Sequence, residues 1–357
     1  MKKIKLDVPS GIKYLSDWDE LENLLPDDQP FILNKRICGC GATEMYIRSD
    51  KKVILASPRK HLLYNKYSQH PSGNLHLYRF QGDKKKYFES KTGSEKEILT
   101  FNSELQEYIK HGGKKILTTY DSLGKIMEVL VGLGENLSEW IVVVDEFQVI
   151  FYDCHFKPTT EYELSEVLQK FTQVIYLSAT PFLESYLDMT VQFKSLPVYE
   201  LLWPENMTKL PDVEVIKSRK SVLELCMGLI EKYRSGNGRS TMVNGEKFIA
   251  KEVVFYINSV SEIKKIIKKS GLKPEETTII CSSKSDNIKK LDELSRQTGM
   301  KFRIEEIPGK GEPHKMFTFC TSTVYVGADF YSTNAYSYIF ANPKVSSMTI
   351  DLSLIHI

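Results

Sequence analysis

Short apolar runs rich in β-branched residues recur along the chain and predict buried strands. In the first half they lie at residues 31–33, 53–56, 115–119, 141–144 and 174–177, and in the second half at 253–257, 277–281, 317–320 and 338–340. Runs of this length are typical of strands buried on both faces, and the stretches between them are long enough for helices. The pattern therefore predicts an α/β fold built on parallel sheets.

The same pattern divides the chain into two domains, which suits 357 residues at about 150 residues per domain. Residues 1–30 are polar and predict an N-terminal lead-in to a first domain over 31–205. A segment at about 67–113, rich in Lys, Glu, Ser and Gly, interrupts the alternation and predicts an insertion. A second domain is expected over 206–351, with a flexible loop or linker at 235–239.

Composition excludes several classes of protein. With 41% hydrophobic and 26% charged residues, the chain is not disordered, collagen-like or a disulfide miniprotein. No apolar run reaches the roughly 18 residues of a membrane span, and the start, MKKIKLDVPSGIKYL, lacks the apolar core of a secretory signal. Six irregularly spaced cysteines indicate reduced thiols and a cytoplasmic protein.

The net charge excludes fewer classes of function than the composition does. The chain carries 48 basic and 46 acidic residues, a net charge of +2. A globally basic coat for nucleic acid is excluded, whereas local basic surfaces are not. Cys38 and Cys40 have no further cysteine or histidine pair at zinc-ligand spacing, so no zinc site is expected.

A glycine-bearing turn follows the first strand, at the point where a helix is predicted to begin. Backbone N–H groups of such a turn can cradle phosphates, and Thr43 stands where a phosphate-loop hydroxyl ligates Mg²⁺. The lysine expected just before this threonine is absent and Ala42 takes its place, so Lys35 is the candidate for the missing cation. An ordinary turn that opens a helix is the alternative. The candidate nucleotide-binding residues here are Lys35, Gly39, Cys40, Gly41, Ala42, Thr43 and Glu44.

An acid pair, Asp145 and Glu146, directly follows the strand predicted at 141–144. The carboxyl end of a buried parallel strand is where an α/β sheet places its ligand-handling groups. Asp145 is expected to join the Mg²⁺ shell, and Glu146 to orient or deprotonate an attacking water. A solvated acid pair at a strand end is the alternative. After the strand at 174–177, the small residues Ser178, Ala179 and Thr180 are candidates for coupling a nucleotide site to movement of the second half.

Seven motifs follow one another in a fixed order between about residues 30 and 345. They are GCGAT, ASPRKHL, TTYDSL, VVVDEFQ, YLSATP, FYINSV and CTSTVYVGADF. This order resembles that of the superfamily 2 helicases. The resemblance implies two RecA-like parallel-sheet domains in tandem. It also implies nucleic-acid contacts at Ser57, Pro58, Arg59, Thr118, Thr119, Asn258, Ser259, Thr321 and Ser322, and nucleotide contacts at Gly327 and Asp329.

The sequence thus predicts an ATP-dependent helicase or translocase with ATP and Mg²⁺ as cofactors. Asp145 and Glu146 would be catalytic, and Thr43 and Asp145 would hold the metal. We expect a monomer acting on single-stranded nucleic acid, DNA more than RNA, and the segments NKRICGCGATE and GADFYS resemble helicase-type proteins of phages and mobile elements. Two alternatives stay open. One is a degenerate helicase fold that binds nucleic acid without hydrolysing ATP, and the other is the motor subunit of a restriction or defence assembly.

The end of the chain gives one further expectation. The resemblance implies an arginine-rich segment after the Gly-x-Asp motif, yet no arginine follows Arg303. Residues 352–357, LSLIHI, match the translation of a transposon-end adapter used in sequencing libraries, CTGTCTCTTATACACATC. We expect these six residues to be an assembly scar, the second domain to be truncated and the natural protein to continue. A genuine short apolar terminus is the alternative.

Overall fold

The computed structural model describes residues 2–37, 39–70, 74–89, 94–150, 158–179, 191–204, 214, 216–243, 246–309, 311–324, 330 and 332–341. The chain separates into two compact units, Met1–Lys209 and Leu210–Ile357. Each unit has its own parallel sheet and its own hydrophobic core. The predicted α/β class is confirmed: the chain has two units in tandem along the sequence, and each is built on a parallel sheet.

The first unit is built on one parallel sheet with the strand order β1-β8-β2-β7-β6-β3-β5-β4. Its strands are β1 Lys3–Asp7, β2 Phe31–Asn34, β3 Lys52–Ser57, β4 His76–Leu77, β5 Lys115–Thr119, β6 Trp140–Asp145, β7 Gln173–Ser178 and β8 Val198–Leu202. Every residue of the central strands β2, β6 and β7 is buried. Strands covered on both faces lose the apolar–polar alternation, which is why continuous apolar runs marked them in the sequence.

Helices cover both faces of this sheet. They are α1 Leu21–Leu24, α2 Ala42–Arg48, α3 Lys60–Gln69, α4 Lys84–Glu89, α5 Glu95–Lys110, α6 Leu123–Gly132, α7 Pro158–Leu168 and α8 Val191–Lys194. On one face α2 and α3 pack on Leu33 and its neighbours, and on the other α5, α6 and α7 pack on Ile32 and its neighbours. Successive strand residues point to opposite faces, so Ile32 and Leu33 belong to different cores.

The described parts of the connections that follow β2 and β7 pack on opposite faces of the sheet. These two strands are hydrogen-bonded neighbours. The chain that leaves β2 enters α2, whose Met45 packs on one face, while Phe193 of α8, which precedes β8, packs on the opposite face. Neighbouring strands whose connections depart to opposite faces define a topological switch point, where open α/β sheets bind their ligands.

Two segments outside the predicted strand pattern contribute to this sheet. Within residues 1–30, β1 pairs in parallel with β8 and forms one edge. Within residues 67–113, β4 pairs with β5 at the other edge, and α5 buries Phe101, Leu105 and Ile109 in the core. Ser94 begins α5 with a capping box to Glu97, a local signal that stabilises the first turn of the helix.

The second unit has a four-stranded parallel sheet of order β12-β13-β11-β14 and a separate antiparallel pair, β9 and β10. The strands are β9 Ser240–Val243, β10 Glu246–Ile249, β11 Glu252–Tyr256, β12 Thr277–Ile280, β13 Phe317–Cys320 and β14 Ala335–Ile339. The helices are α9 Val222–Arg234, α10 Val260–Ser270 and α11 Ser285–Thr298. Residues 235–239 connect α9 to β9. No helix in the described ranges of either unit is both long and apolar enough to cross a membrane.

Candidate active site

Lys35 lies directly after β2 at the switch point, and its backbone is held from two sides. Its N–H donates to the Ser178 carbonyl at 2.8 Å, and its own carbonyl accepts from the Trp203 indole N–H at 2.8 Å. The residue is only 6% exposed. A buried ammonium requires compensating charge, and here two carboxylates supply it.

The acid pair reaches Lys35 from the end of β6. The Lys35 Nζ lies 3.2 Å from Asp145 Oδ1 and 3.4 Å from Glu146 Oε1. Gln148 donates through its Nε2 to Glu146 Oε2 at 2.6 Å. The structure thus brings these three candidate residues together, and it buries both carboxylates rather than leaving them solvated. One cation against two anions leaves this buried cluster with a formal charge of −1.

The backbone at the acid pair is strained. Glu146 has a φ of +55°, a region that residues other than glycine rarely adopt. The turn is held by the Tyr120 hydroxyl, which donates to the Asp145 carbonyl at 2.6 Å, and by the Phe147 N–H, which donates to the Leu177 carbonyl at 3.1 Å. Such strain costs about 1–3 kcal/mol and is concentrated at functional sites.

The electrostatics of the cluster favour a charged lysine. Burial alone would lower the pKa of Lys35, but the charges of Asp145 and Glu146 outweigh burial and hold it above its ordinary value. Burial raises the pKa of Asp145, the Lys35 charge opposes that rise and the Glu146 charge adds to it. Lys35 therefore stays an ammonium, while ionised Asp145 is disfavoured relative to the same group in water.

The glycine turn precedes α2 and packs on the N-terminal segment. Gly39 and Gly41 have φ values of +66° and +81°, and a Cβ on Gly41 would lie 3.1 Å from the Tyr14 Cβ. Side chains larger than hydrogen are therefore disfavoured at Gly41. Cys40 is buried, and its carbonyl accepts from the Leu15 N–H at 2.7 Å. Burial raises the pKa of its thiol, although the nearby Lys35 charge opposes this.

The predicted residues on α2 divide into two groups. Ala42 and Thr43 are buried in its first turn. Glu44 lies on the flank, where its carboxylate pairs with Arg48 at 2.8 Å and His70 at 3.0 Å. Burial opposes ionisation of Glu44, but hydrogen bonds from His70 and Arg48 lower its pKa below the ordinary value. This carboxylate is thus engaged by Arg48 of α2 and by His70, which directly follows α3.

The residues of the first unit that are predicted to contact nucleic acid lie at the carboxyl ends of two paired β-strands. Ser57 ends β3, and Pro58 and Arg59 follow it. Thr118 and Thr119 end the neighbouring strand β5. Ser57 and Thr118 are each 1% exposed, so their side chains belong to the buried rim of this edge.

The second unit shows a similar arrangement at β11 and β13. Asn258 Oδ1 accepts from the Ser322 N–H at 3.0 Å, which links the loops that follow these strands. Thr321 donates its N–H to the Ile280 carbonyl at 3.1 Å. Ser259 caps α10, its Oγ accepting from the Glu262 N–H at 3.3 Å.

In the first unit, Ser178 and Ala179 are buried at the end of β7. Thr180, Gly327 and Asp329 lie outside the described residues.

Three residues with contacts at the site were not assigned a role from the sequence. Gln148 and Tyr120 stand within the motifs DEFQ and TTYDS, so their position in those motifs was the available signal. No signal in the sequence marked Trp203, because its hydrogen bond to the Lys35 carbonyl joins positions that are 168 residues apart. It depends on β8 pairing beside β2.

Trp203 provides a test of how firmly the Lys35 backbone must be held. We expect Trp203→Phe to weaken ATP binding several-fold and to lower the free energy of unfolding by about 0.5–1.5 kcal/mol. The substitution removes one of two hydrogen bonds to the Lys35 carbonyl, which also accepts from the Ile37 N–H at 2.6 Å. Trp18→Phe is the matched control, because the buried Trp18 Nε1 has no hydrogen-bond partner among the residues described. Equal effects of both substitutions on ATP binding would show that ring packing, not the hydrogen bond, matters.

The comparisons with known proteins show similarity in fold only. No protein-family model and no curated protein matches the chain. A Dbp5 variant from S. cerevisiae bound to RNA and ADP BeF3 has a TM-score of 0.44 and 13% identity, with 85% of this chain and 68% of that chain covered. The E. coli DExH-box NTPase HrpB has a TM-score of 0.47 and 11% identity, with 90% of this chain and 35% of HrpB covered.

A hypothetical ATP-dependent RNA helicase from Sulfolobus tokodaii has a TM-score of 0.33 and 11% identity, with 89% of this chain and 80% of that chain covered. At these identities no residue role is transferred from these proteins. The proposals below depend on the geometry of this chain.

Proposed function

We propose that this protein is an ATP hydrolase that acts on nucleic acid as a helicase or translocase of the superfamily 2 type. The observation that carries the proposal is the buried Lys35–Asp145–Glu146 cluster at the topological switch point. A buried cluster with net charge, held on a strained backbone, costs folding free energy. Such a cost is typical of a site selected for chemistry.

The donor set of the cluster fits Mg²⁺ and a nucleotide. Carboxylate and hydroxyl oxygens are hard ligands, and Mg²⁺ in nucleotide sites uses one or two carboxylates together with phosphate oxygens. Asp145 and the Thr43 hydroxyl are the proposed ligands, and the glycine turn is the proposed phosphate cradle. When bound, Mg²⁺ would neutralise charge on the phosphate oxygens.

The remaining groups have separate proposed roles. The Glu146 carboxylate would orient an attacking water and accept its proton, with the Gln148 amide fixing the carboxylate plane. Lys35 holds the two acids in place as a permanent cation, and it is the proposed substitute for the lysine that is absent at Ala42. Ser178, whose carbonyl binds the Lys35 N–H, is the proposed link to conformational coupling.

The nucleic-acid part of the proposal rests on residues at the strand ends. Pro58, Arg59 and Thr119, which lie beside the buried Ser57 and Thr118, would contact the phosphate backbone of a single nucleic-acid strand. This predicts sequence-tolerant, salt-sensitive binding. We propose single-stranded DNA rather than RNA, in the replication or processing of phage or mobile-element DNA. The motif resemblance of NKRICGCGATE and GADFYS supports this finer step.

Steady-state ATP hydrolysis with and without a single-stranded oligonucleotide tests the proposal. We expect Mg²⁺-dependent turnover that single-stranded DNA stimulates at least about tenfold, and more than RNA of the same sequence. Strand-displacement and translocation assays would then separate unwinding from movement alone. Absence of both ATP binding and oligonucleotide binding would refute the proposal.

A second candidate is a nucleic-acid clamp that binds ATP without hydrolysing it. The specific observation in its favour is that Ala42 occupies the usual lysine position while the Lys35 amine is paired with the acids. Tight oligonucleotide binding without turnover would favour the clamp.

A further inference from the structure

Arg79 is a partly buried cation that lies outside every motif of the proposed site. It follows β4 with a φ of +69°, a strained conformation for arginine. Its Nη2 is buried without a hydrogen-bond acceptor, and Arg79 forms no salt bridge with any residue that the structure describes. The guanidinium lies over the Phe101 ring, 5.8 Å from its centroid.

A second cation, Lys60, lies close enough to Arg79 for the two charges to interact. Lys60 begins α3, donates to the Tyr87 carbonyl at 2.8 Å and lies 5.3 Å from the centroid of the Tyr87 ring. Burial and then the Arg79 charge lower the pKa of Lys60 to about 8, although Asp121 opposes this. Two partly buried cations that repel each other favour binding of an anion.

The position of this pair is as informative as its charge. The strands β3, β5 and β4 are consecutive in the parallel sheet, so their carboxyl ends share one edge. Ser57 ends β3, and its buried hydroxyl has no hydrogen-bond partner in the part of the chain that the structure describes. Lys60 follows three residues later, and Arg79 follows β4. Lys60 and Arg79 therefore lie on the same edge of the sheet as Ser57–Arg59, the residues predicted to contact the nucleic-acid backbone, and nearer to the edge strand β4.

We propose that Arg79 and Lys60 form a phosphate subsite that extends the nucleic-acid path from Ser57–Arg59 onto the segment after β4. The occupant is a phosphodiester group of a single strand. Its oxygens would accept from the guanidinium and relieve the repulsion between the two cations. The contact would be to backbone, so it would add affinity without sequence preference. This inference rests on the proposed function, because it requires that the chain bind nucleic acid.

The salt dependence of oligonucleotide binding tests the subsite. Each phosphate contact in single-stranded binding contributes about 0.7 to the slope of log K against log salt. We expect Arg79→Gln to reduce the slope by about 0.7 and the further change Lys60→Gln to reduce it little more, because both cations bind one phosphate. At 0.1 M salt the single change corresponds to about a fivefold loss of affinity, the factor that 0.7 slope units give relative to 1 M.

Controls separate this inference from the proposed function. Arg296→Gln removes an exposed arginine of α11 and should leave affinity and slope unchanged, whereas Arg79→Lys should restore most of the slope. Thermal melting of each variant confirms folding. If the wild-type protein binds no oligonucleotide, the proposed function fails. If it binds and Arg79→Gln keeps the wild-type slope, the subsite fails alone.

A competition experiment shows whether the subsite binds a phosphate of nucleic acid or a free phosphate compound. Inorganic pyrophosphate is titrated against a labelled oligonucleotide on the wild-type and Arg79→Gln proteins. For the proposed subsite, Arg79→Gln weakens oligonucleotide binding. If it weakens pyrophosphate binding but leaves oligonucleotide affinity unchanged, the subsite belongs to a free phosphate compound and the inference is overturned.

Discussion

Glu146→Gln is expected to reduce ATP turnover by at least about 100-fold while changing ATP affinity only a few-fold. General-base groups typically contribute 10²–10⁴ in rate, and loss of a base lowers kcat more than it weakens ground-state binding. The structure makes this substitution informative, because the glutamine keeps the shape of a side chain that is buried between Lys35 and Gln148.

Stability should not explain the loss of activity in this variant. The substitution changes the formal charge of the buried cluster from −1 to zero, so we expect thermal stability equal to or above that of the wild-type protein. Glu139→Gln is the matched control, since Glu139 is an exposed carboxylate of the same unit that pairs with Lys52. Wild-type turnover in Glu146→Gln would show that another group orients the water.

The sequence predicted the central strands well because of where they lie. Residues 141–144 and 174–177 are covered on both faces, and burial on both faces imposes the continuous apolar runs that were visible in the sequence. The acid pair was predictable for the same reason. Asp145 ends β6 and Glu146 begins the following turn, so their place at the sheet edge depends only on local order.

Features that depend on long-range pairing were not predictable. The strand β1 is polar and half exposed at the sheet edge, so its hydrophobic pattern is too weak to mark it. The role of Trp203 depends on β8 pairing next to β2. Similarly, α5 belongs to a segment whose overall polarity indicated an insertion, although one face of the helix is buried in the core.

The spacing of Lys35 from the glycine turn suggested a phosphate ligand, and the structure adds a second role. The Lys35 amine lies between two carboxylates that come more than a hundred residues later. Sequence proximity could not reveal this ion pair. Whether Lys35 also binds phosphate stays a prediction, and its two roles have different consequences when the side chain is removed.

Lys35→Met is expected to destabilise the first unit by about 3–5 kcal/mol, because it leaves two buried carboxylates without their cation. This loss in the free energy of unfolding should depend on pH. Burial already raises the pKa of Asp145 and Lys35 opposes that rise, so removing Lys35 raises this pKa further. A carboxyl whose pKa is raised on folding stabilises the fold below its unfolded pKa and loses that contribution as pH rises through its folded pKa. The deficit measured by denaturant unfolding should therefore be smaller at about pH 5 than at about pH 8.

A double variant separates charge balance from phosphate binding. Lys35→Met together with Glu146→Gln restores the cluster to a formal charge of −1, so we expect it to regain much of the stability that Lys35→Met loses, a coupling that a double-mutant cycle measures. ATP affinity should follow a different pattern. If Lys35 binds phosphate, both variants that lack it bind ATP weakly, although Glu146→Gln alone does not. If Lys35 only balances the acids, affinity recovers with stability in the double variant. Lys35→Met that is as stable as the wild-type protein at pH 8 would contradict the assignment of the cluster itself, since a buried acid pair cannot lose its cation without cost.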